Sequence, residues 1–268
     1  MERGVARIAC GLEYDGGRFA GWQRQTTGTP TVQAAVEAAL SRVADCAVEV
    51  TCAGRTDAGV HATLQVCHFD APVERSEKAW VMGANTALPA DVALRWARPV
   101  PASFHARYSA EARRYRYVIL EGWDRPALWR QRAAWQHAKL DIAAMQRAGE
   151  HLLGEHDFSS FRSAACQARH AWRRLDSVVV ERRGRAVIID VAGNAFLHNM
   201  VRIIAGVLMA IGRGERSPTW VGELLAARDR TRSGMTAPPR GLYFVGPQYP
   251  RAFGLPEPEP PQWPGVPG

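Results

Sequence analysis

The stretch VEVTCAGRTDAGVHATLQVCHFD, Val48 to Asp70, decides how the chain is read. Val48, Val50 and Cys52 alternate with Glu49 and Thr51, the two-residue period of a strand. Thr63 to Asp70 reads as a second strand. Between them lies a loop, Ala53 to Gly59, with glycines at 54 and 59 and a charged pair, Arg55 and Asp57. A sheet that fixes both ends of a loop makes it rigid, and charged residues on such a loop are well placed for function. The same residues also suit a solvated turn, in which an exposed Arg55–Asp57 pair contributes about 0–1 kcal/mol.

Further elements flank this core on both sides. Val5 to Tyr14 is a strand closed by Asp15-Gly16-Gly17, and Thr29-Pro30-Thr31 starts a helix on which Val32, Val36, Leu40 and Val43 recur at helical spacing. Ser76 caps a short helix to about Ala84, and Val92 to Val100 is a strand. That order is βαββαβ. The second half repeats it. Arg113 to Leu120 is a strand, and Asp141 caps a helix carrying Ile142, Met145 and Leu152, stopped by Gly154. Leu175 to Glu181 and Ala186 to Ala192 form a hairpin, His198 to Ile211 a second helix, and Leu242 to Val245 a last strand. The expected fold is therefore α+β, with two pseudo-symmetric βαββαβ units of ferredoxin-like or RRM-like form whose antiparallel sheets meet at a central cleft. Residues 1–105 form the N-terminal unit with the Gly54–Gly59 loop, 106–250 the C-terminal unit, and 251–268 a proline-rich tail, extended or disordered.

Composition narrows the function. Hydrophobic residues at 47% and charged residues at 22% are the proportions of a globular rather than a disordered chain. Met1 to Gly17 has no apolar core long enough for a signal peptide, and the apolar run Ile203 to Ile211 is about half a membrane span, so a cytoplasmic location is expected. Five scattered cysteines without a CxxC argue against a disulfide framework and a thiolate zinc site. A net charge of +8 and a pI near 9.7 point to an anionic partner, and a nucleic acid fits. Of 34 basic residues only Lys78 and Lys139 are lysines. Arginine suits phosphate and base recognition, although the richness in Ala, Gly and Pro allows the same bias from a GC-rich genome.

Several catalytic classes are excluded. Gly54 to Gly59 has phosphate-loop spacing, but Val60-His61 follows in place of Lys-Ser/Thr, between two strands. His151 and His156 in HLLGEH are five apart, not four, with Gly154 between them, so they do not form a zinc-protease helix. The H-x-E and PCxxC pattern of zinc deaminases is missing. What remains is a carboxylate beside guanidinium groups. An ionised Asp57 can act as nucleophile, general base or electrostatic stabiliser at an electron-deficient sugar carbon. In ARRYRY, Ala112 to Tyr117, strand alternation sends Tyr115 and Tyr117 to one face and Arg114 and Arg116 to the other. One face suits a base and the other a phosphate or an acidic neighbour; a half-buried core strand is the plainer alternative, and it suits Tyr117. Arg202, one turn after His198, opens an otherwise apolar helix and needs a carboxylate or phosphate partner. Topology makes Asp57 a candidate partner.

The segments EYDGGRFAGWQRQ (Glu13 to Gln25), CAGRTDAGVHA (Cys52 to Ala62), Asn85…Leu88-Pro89, FHAR (Phe104 to Arg107), ARRYRY, GNAFLHNMVR (Gly193 to Arg202) and GLYF (Gly241 to Phe244) occur in the order and spacing of a known family. Together they resemble the tRNA pseudouridine synthase A family over about residues 5 to 250. The resemblance implies a homodimeric isomerase, without metal or organic cofactor, acting on uridines 38, 39 and 40 of the tRNA anticodon stem-loop. It implies that Asp57 is the catalytic aspartate, that Arg202 pairs with it, and that Tyr115 stacks on the target base and serves in proton removal from C5. It also implies that Arg55 keeps the target nucleotide out of its stack and that Leu242 lines the pocket. Arg24, Asn85, His105, Arg107 and Arg114, all within these motifs, are the expected RNA contacts. Two other readings compete. A non-catalytic RNA-binding protein with paired RRM-like units would tolerate Asp57→Asn, but no segment matches the RNP1 pattern. A metal-dependent nucleic-acid enzyme needs clustered carboxylates or histidines.

Overall fold

The computed structural model describes residues 6–258; Val5 and the part of the proline-rich tail from 259 to 268 lie outside the described residues. The fold is mixed α+β. In chain order its elements are β1 (Ala6–Tyr14), α1 (Val32–Ala44), β2 (Thr51–Cys52), β3 (His61–Ala71), α2 (Glu77–Ala87), β4 (Val92–Pro99), β5 (Ala112–Glu121), β6 (Ala134–Gln136), α3 (Ile142–Glu150), β7 (Gly154–Asp157), β8 (Trp172–Arg183), β9 (Ala186–Gly193), α4 (Met200–Gly212), α5 (Trp220–Ala227) and β10 (Leu242–Gln248). Two compact units result. One holds the described residues through Glu111 together with the segment from Phe244 onward, and the other is Ala112–Tyr243. Among the described residues, no helix is long and apolar enough to cross a membrane.

In the first unit, β1 pairs antiparallel with β3 on one side, placing Cys10 opposite Cys67, and with β4 on the other. β2 adds to β3, with Cys52 opposite Cys67. The helices start where short polar side chains satisfy their free N–H groups: Thr31 accepts from Ala34 in α1 and Ser76 from Ala79 in α2. Trp80 of α2 packs edge-on against Phe69 of β3 with centroids 5.1 Å apart. The Asn85 side chain exchanges two hydrogen bonds with the Leu94 backbone, 2.9 and 2.8 Å, which fixes α2 to β4. The alternation from Val48 to Cys52 yields only a two-residue ladder. The Val48 N–H donates to Ser41 Oγ and the Val50 N–H to Glu37 Oε1, so side chains of α1 take the bonds a neighbouring strand would have made.

Buried His68 on β3 gives this unit an acid sensitivity. Its Nδ1 accepts the Ala106 N–H at 3.1 Å, which requires that nitrogen to be unprotonated. Burial, then the positive influence of His105 and Arg7, pushes the ring's pKa down to about 4, against a smaller opposing effect of Asp70. A folded value below the unfolded one of about 6.5 gives stability that is present above pH 6.5 and lost as pH falls through 4. The unfolding midpoint is expected to drop across that window, and to drop less in His68→Gln, as followed by circular dichroism.

In the second unit the strand order is β5–β9–β8–β7, all antiparallel, with β6 parallel to β5. Asp141 caps α3 through the Ala144 N–H, as expected. The helix ends at Glu150 rather than reaching Gly154; Leu152 is buried in the turn beyond it, and Gly154, at φ +91°, begins β7. Gln146 ties α3 to β8 through Val178 O and Val180 N, at 3.3 and 2.8 Å. α4 begins two residues later than His198, because Asn199 is left-handed at φ 61° and turns the chain into the helix. Most of α4 is buried. At Gly206 a Cβ would come within 2.1 Å of the Met235 carbonyl, so only glycine lets that segment lie against the helix. β6, β7 and α5 go unannounced in the sequence.

The alternation in β5 is borne out. Tyr117 is fully buried and its hydroxyl donates to Pro238 O at 2.8 Å. Arg116, 3% exposed, forms a two-pronged ion pair with Asp190 of β9 at 2.9 and 2.6 Å, and Arg114 reaches the same carboxylate at 3.2 Å. The acidic neighbour expected for that face is Asp190.

Candidate active site

The loop from Ala53 to Val60 is tied to other parts of the first unit at Ala53, Gly54, Thr56 and Gly59. The Ala53 N–H donates to Val66 O, and Gln65 Nε2 to Gly54 O at 2.6 Å. Thr56 is buried; its carbonyl accepts the Trp22 N–H at 2.9 Å and its hydroxyl meets the Tyr14 hydroxyl at 2.7 Å. The Gly59 N–H donates to Phe19 O, and the Val60 N–H back to Asp57 O. Asp57 is thus flanked on both sides by anchored backbone; it is half-buried, and Arg55, two positions before it, is exposed. Such preorganisation is what an electrostatic catalyst requires.

Two glycines permit this packing. Gly21 sits at φ +97°, where a Cβ would approach Thr56 O to 2.7 Å. At Gly16 a Cβ would fall 1.9 Å from Val60 O. The segment after β1 therefore lies backbone to backbone against the loop. Close by, the Gly16 N–H donates to His61 Nδ1 at 3.1 Å. Below the loop, burial and then the neighbouring Cys67 push the Cys52 thiol up to about 12, with Arg55 acting in the opposite direction. That thiol is inert packing.

The other expected site residues of the first unit have well-defined surroundings. Arg24 pairs at 2.9 Å with Glu37, a buried carboxylate on α1. His105 Nδ1 accepts the Arg107 and Tyr108 N–H groups, and its ring stacks on Tyr108 with centroids 4.3 Å apart. Exposed Arg107 lies 5.6 Å from the Tyr108 ring centre. Asn85 is exposed but uses its amide on Leu94.

In the second unit Tyr115 is 9% exposed, and its ring meets Phe196 edge-on at 4.9 Å. Arg202 is aimed by two hydrogen bonds, Nε to Ala237 O and Nη1 to Asn199 Oδ1, both 2.8 Å. Leu242 is buried at the start of β10. Sequence reading missed the braces Tyr14, Trp22, Thr56 and Gln65 and the packing partner Phe196. Tyr14 and Trp22 lie in EYDGGRFAGWQRQ, and Phe196 in GNAFLHNMVR, so the motifs carried the signal without saying what each residue touches. Among the described residues, no group of three His, Cys, Asp or Glu side chains is placed to hold a metal ion.

A family model described as tRNA pseudouridine synthase matches residues 12–109 and 148–250, most of the chain, and the chain belongs to that family of tRNA-modifying isomerases. Among its relatives, tRNA pseudouridine synthase A of Methylococcus capsulatus is 59% identical over 93% of this chain and 92% of its own length. The protein of the same name from Pseudomonas aeruginosa is 56% identical over 95% of this chain and 89% of its own.

Proposed function

We propose that this chain converts uridine to pseudouridine at tRNA positions 38, 39 and 40, in the anticodon stem-loop, with Asp57 as its catalytic carboxylate. The observation that carries the reading is Asp57 on a loop anchored by Thr56, Gly54 and Gly59 within a chain of this family. The reaction breaks C1′–N1, turns the base, and joins C5 to C1′; the proton leaves C5 and N1 gains one. No electron or donor group is exchanged. The chemistry asks for a carboxylate near C1′, a cation to hold it, and an aromatic platform for an unstacked base.

Asp57 supplies the carboxylate and Arg202 its ion partner; two hydrogen bonds hold the Arg202 guanidinium in place. Tyr115 is the platform and takes part in removing the C5 proton, with Phe196 behind it. Arg55 keeps the nucleotide out of its stack and Leu242 lines the pocket. Arg24, Asn85, His105, Arg107 and Arg114 contact RNA, which positions the substrate largely through phosphates. In this reading the two units are pseudo-symmetric. The enzyme is a cytoplasmic homodimer.

Mapping pseudouridine in unmodified transcripts tests the assignment: product is expected only at 38, 39 and 40, and a transcript with cytidine at all three should be inert. Product elsewhere in that transcript would contradict the site assignment. The brace under the loop has its own test. Gly21→Ala is expected to lower kcat by about 10²-fold, because a shift of about 1 Å at a reacting group is that costly, while tRNA affinity stays near that of the wild type. Steady-state kinetics with direct binding separates the two effects.

A further inference from the structure

From Phe158 to Arg174 the chain has no carboxylate, yet it carries Arg162, Arg169, Arg173 and Arg174. The segment is a closed loop: the Phe158 N–H donates to Ala171 O and the Cys166 N–H to Ser163 O, both 3.0 Å, and the Ser163 N–H to His198 O at 3.1 Å. Two guanidiniums are drawn into it. Arg162 Nη1 donates to Ala168 O at 3.4 Å, and Arg173 Nη1 to His170 O at 3.2 Å, with His170 Nδ1 3.4 Å away. Arg173 Nε is buried and has no hydrogen-bond partner. Among the described residues, nearby ion pairs join Arg174 to Asp176 and Arg228 to Asp157, and neither Arg162 nor Arg173 takes part in one.

A buried unsatisfied N–H next to two uncompensated like charges is unfavourable by itself. Burial lowers the Arg173 pKa and the charge of Arg162 lowers it further, with the Cys166 thiol opposing. An anion would relieve both the missing acceptor and the charge. Guanidinium groups match the oxygens of a phosphate two at a time. Exposed Arg169 and His170 extend the positive surface along the loop, so a chain of phosphates suits it better than an isolated ion.

We propose that Arg162 and Arg173 form a phosphate-binding site in the 162–173 loop that takes a backbone phosphate of the tRNA. The proposal rests on the tRNA-modifying function above and adds a positioning contact to it. A phosphate contact holds the RNA without reading its sequence, so its loss should weaken all tRNAs alike and leave kcat at saturating tRNA unchanged.

The test is binding of an unmodified tRNA transcript as a function of salt, for wild type, Arg162→Gln, Arg162→Lys and Arg173→Lys, each checked for an unchanged thermal unfolding profile. Arg162→Gln is expected to bind about fivefold more weakly at low salt, with the slope of log K against log salt flatter by about 1. Arg162→Lys should recover most of the slope. Arg173→Lys should keep the slope and lose affinity, because it keeps the charge and loses the fork. An unchanged slope in Arg162→Gln, with wild type binding and modifying the transcript, overturns this proposal alone. Wild type that binds no tRNA overturns it together with the proposed function. Inorganic phosphate is the second probe. If it raises the wild-type but not the Arg162→Gln unfolding temperature while leaving tRNA binding unaffected, the site takes free phosphate and the RNA assignment is wrong.

Discussion

Asp57→Asn is expected to bind tRNA as wild type does and to lose about 10³-fold or more in single-turnover rate, the scale on which positioned carboxylates contribute as bases or nucleophiles. Asparagine keeps the shape and removes the charge. The loop itself should hold, because its anchors are backbone groups and the side chains of Thr56, Tyr14 and Gln65, none of which the substitution touches. Binding should survive because the affinity of a basic protein for RNA comes chiefly from phosphate contacts, to which a carboxylate adds nothing favourable. A loss of rate matched by an equal loss of affinity would make Asp57 a binding residue and remove it from the chemistry.

Asp190→Ala should have the largest effect on stability. Arg116 is 3% exposed and its guanidinium is held by both oxygens of Asp190. Removing the carboxylate strands a buried cation, which costs about 3–5 kcal/mol, a large share of the roughly 5–15 kcal/mol that holds a typical domain folded. Arg114 loses its partner as well, though it is more exposed and contributes less. The double variant Arg116→Met/Asp190→Leu, which removes both charges, should recover most of the loss. Urea unfolding of the three proteins measures this. A double variant as unstable as Asp190→Ala would mean that the strand pairing of β5 and β9, rather than the stranded charge, sets the cost.

The sequence was legible where period and punctuation agreed. Thr31 with Val32, Val36 and Leu40 announced α1, and Ser76 announced α2. α2 runs three residues past Ala84 and stops before Leu88-Pro89, where the residue preceding proline disfavours helix. The alternation from Val48 to Cys52 overstated β2 because it reports burial, whereas Ser41 and Glu37 took the backbone bonds. β6 and β7, three and four residues long, are too short to show any period. At the site, Arg55 and Asp57 stood out as a charged pair between glycines. The Tyr14–Thr56 contact that fixes them joins residues 42 apart, and no local pattern announces a contact of that separation. The Asn85 amide, marked by its motif, also ties a helix to a strand, and no local pattern announces that tie.

In the proposed reaction a single carboxylate on the 53–60 loop drives pseudouridine formation. Tritium release from C5-labelled uridine in an unmodified tRNA transcript, with wild type and Asp57→Asn side by side in EDTA, tests it most directly. Release by wild type and none by the variant, both binding the transcript equally, is the expected result. Equal release by the two proteins would reduce Asp57 to a turn residue, and no release by wild type that binds the RNA would contradict metal-free isomerisation of this substrate.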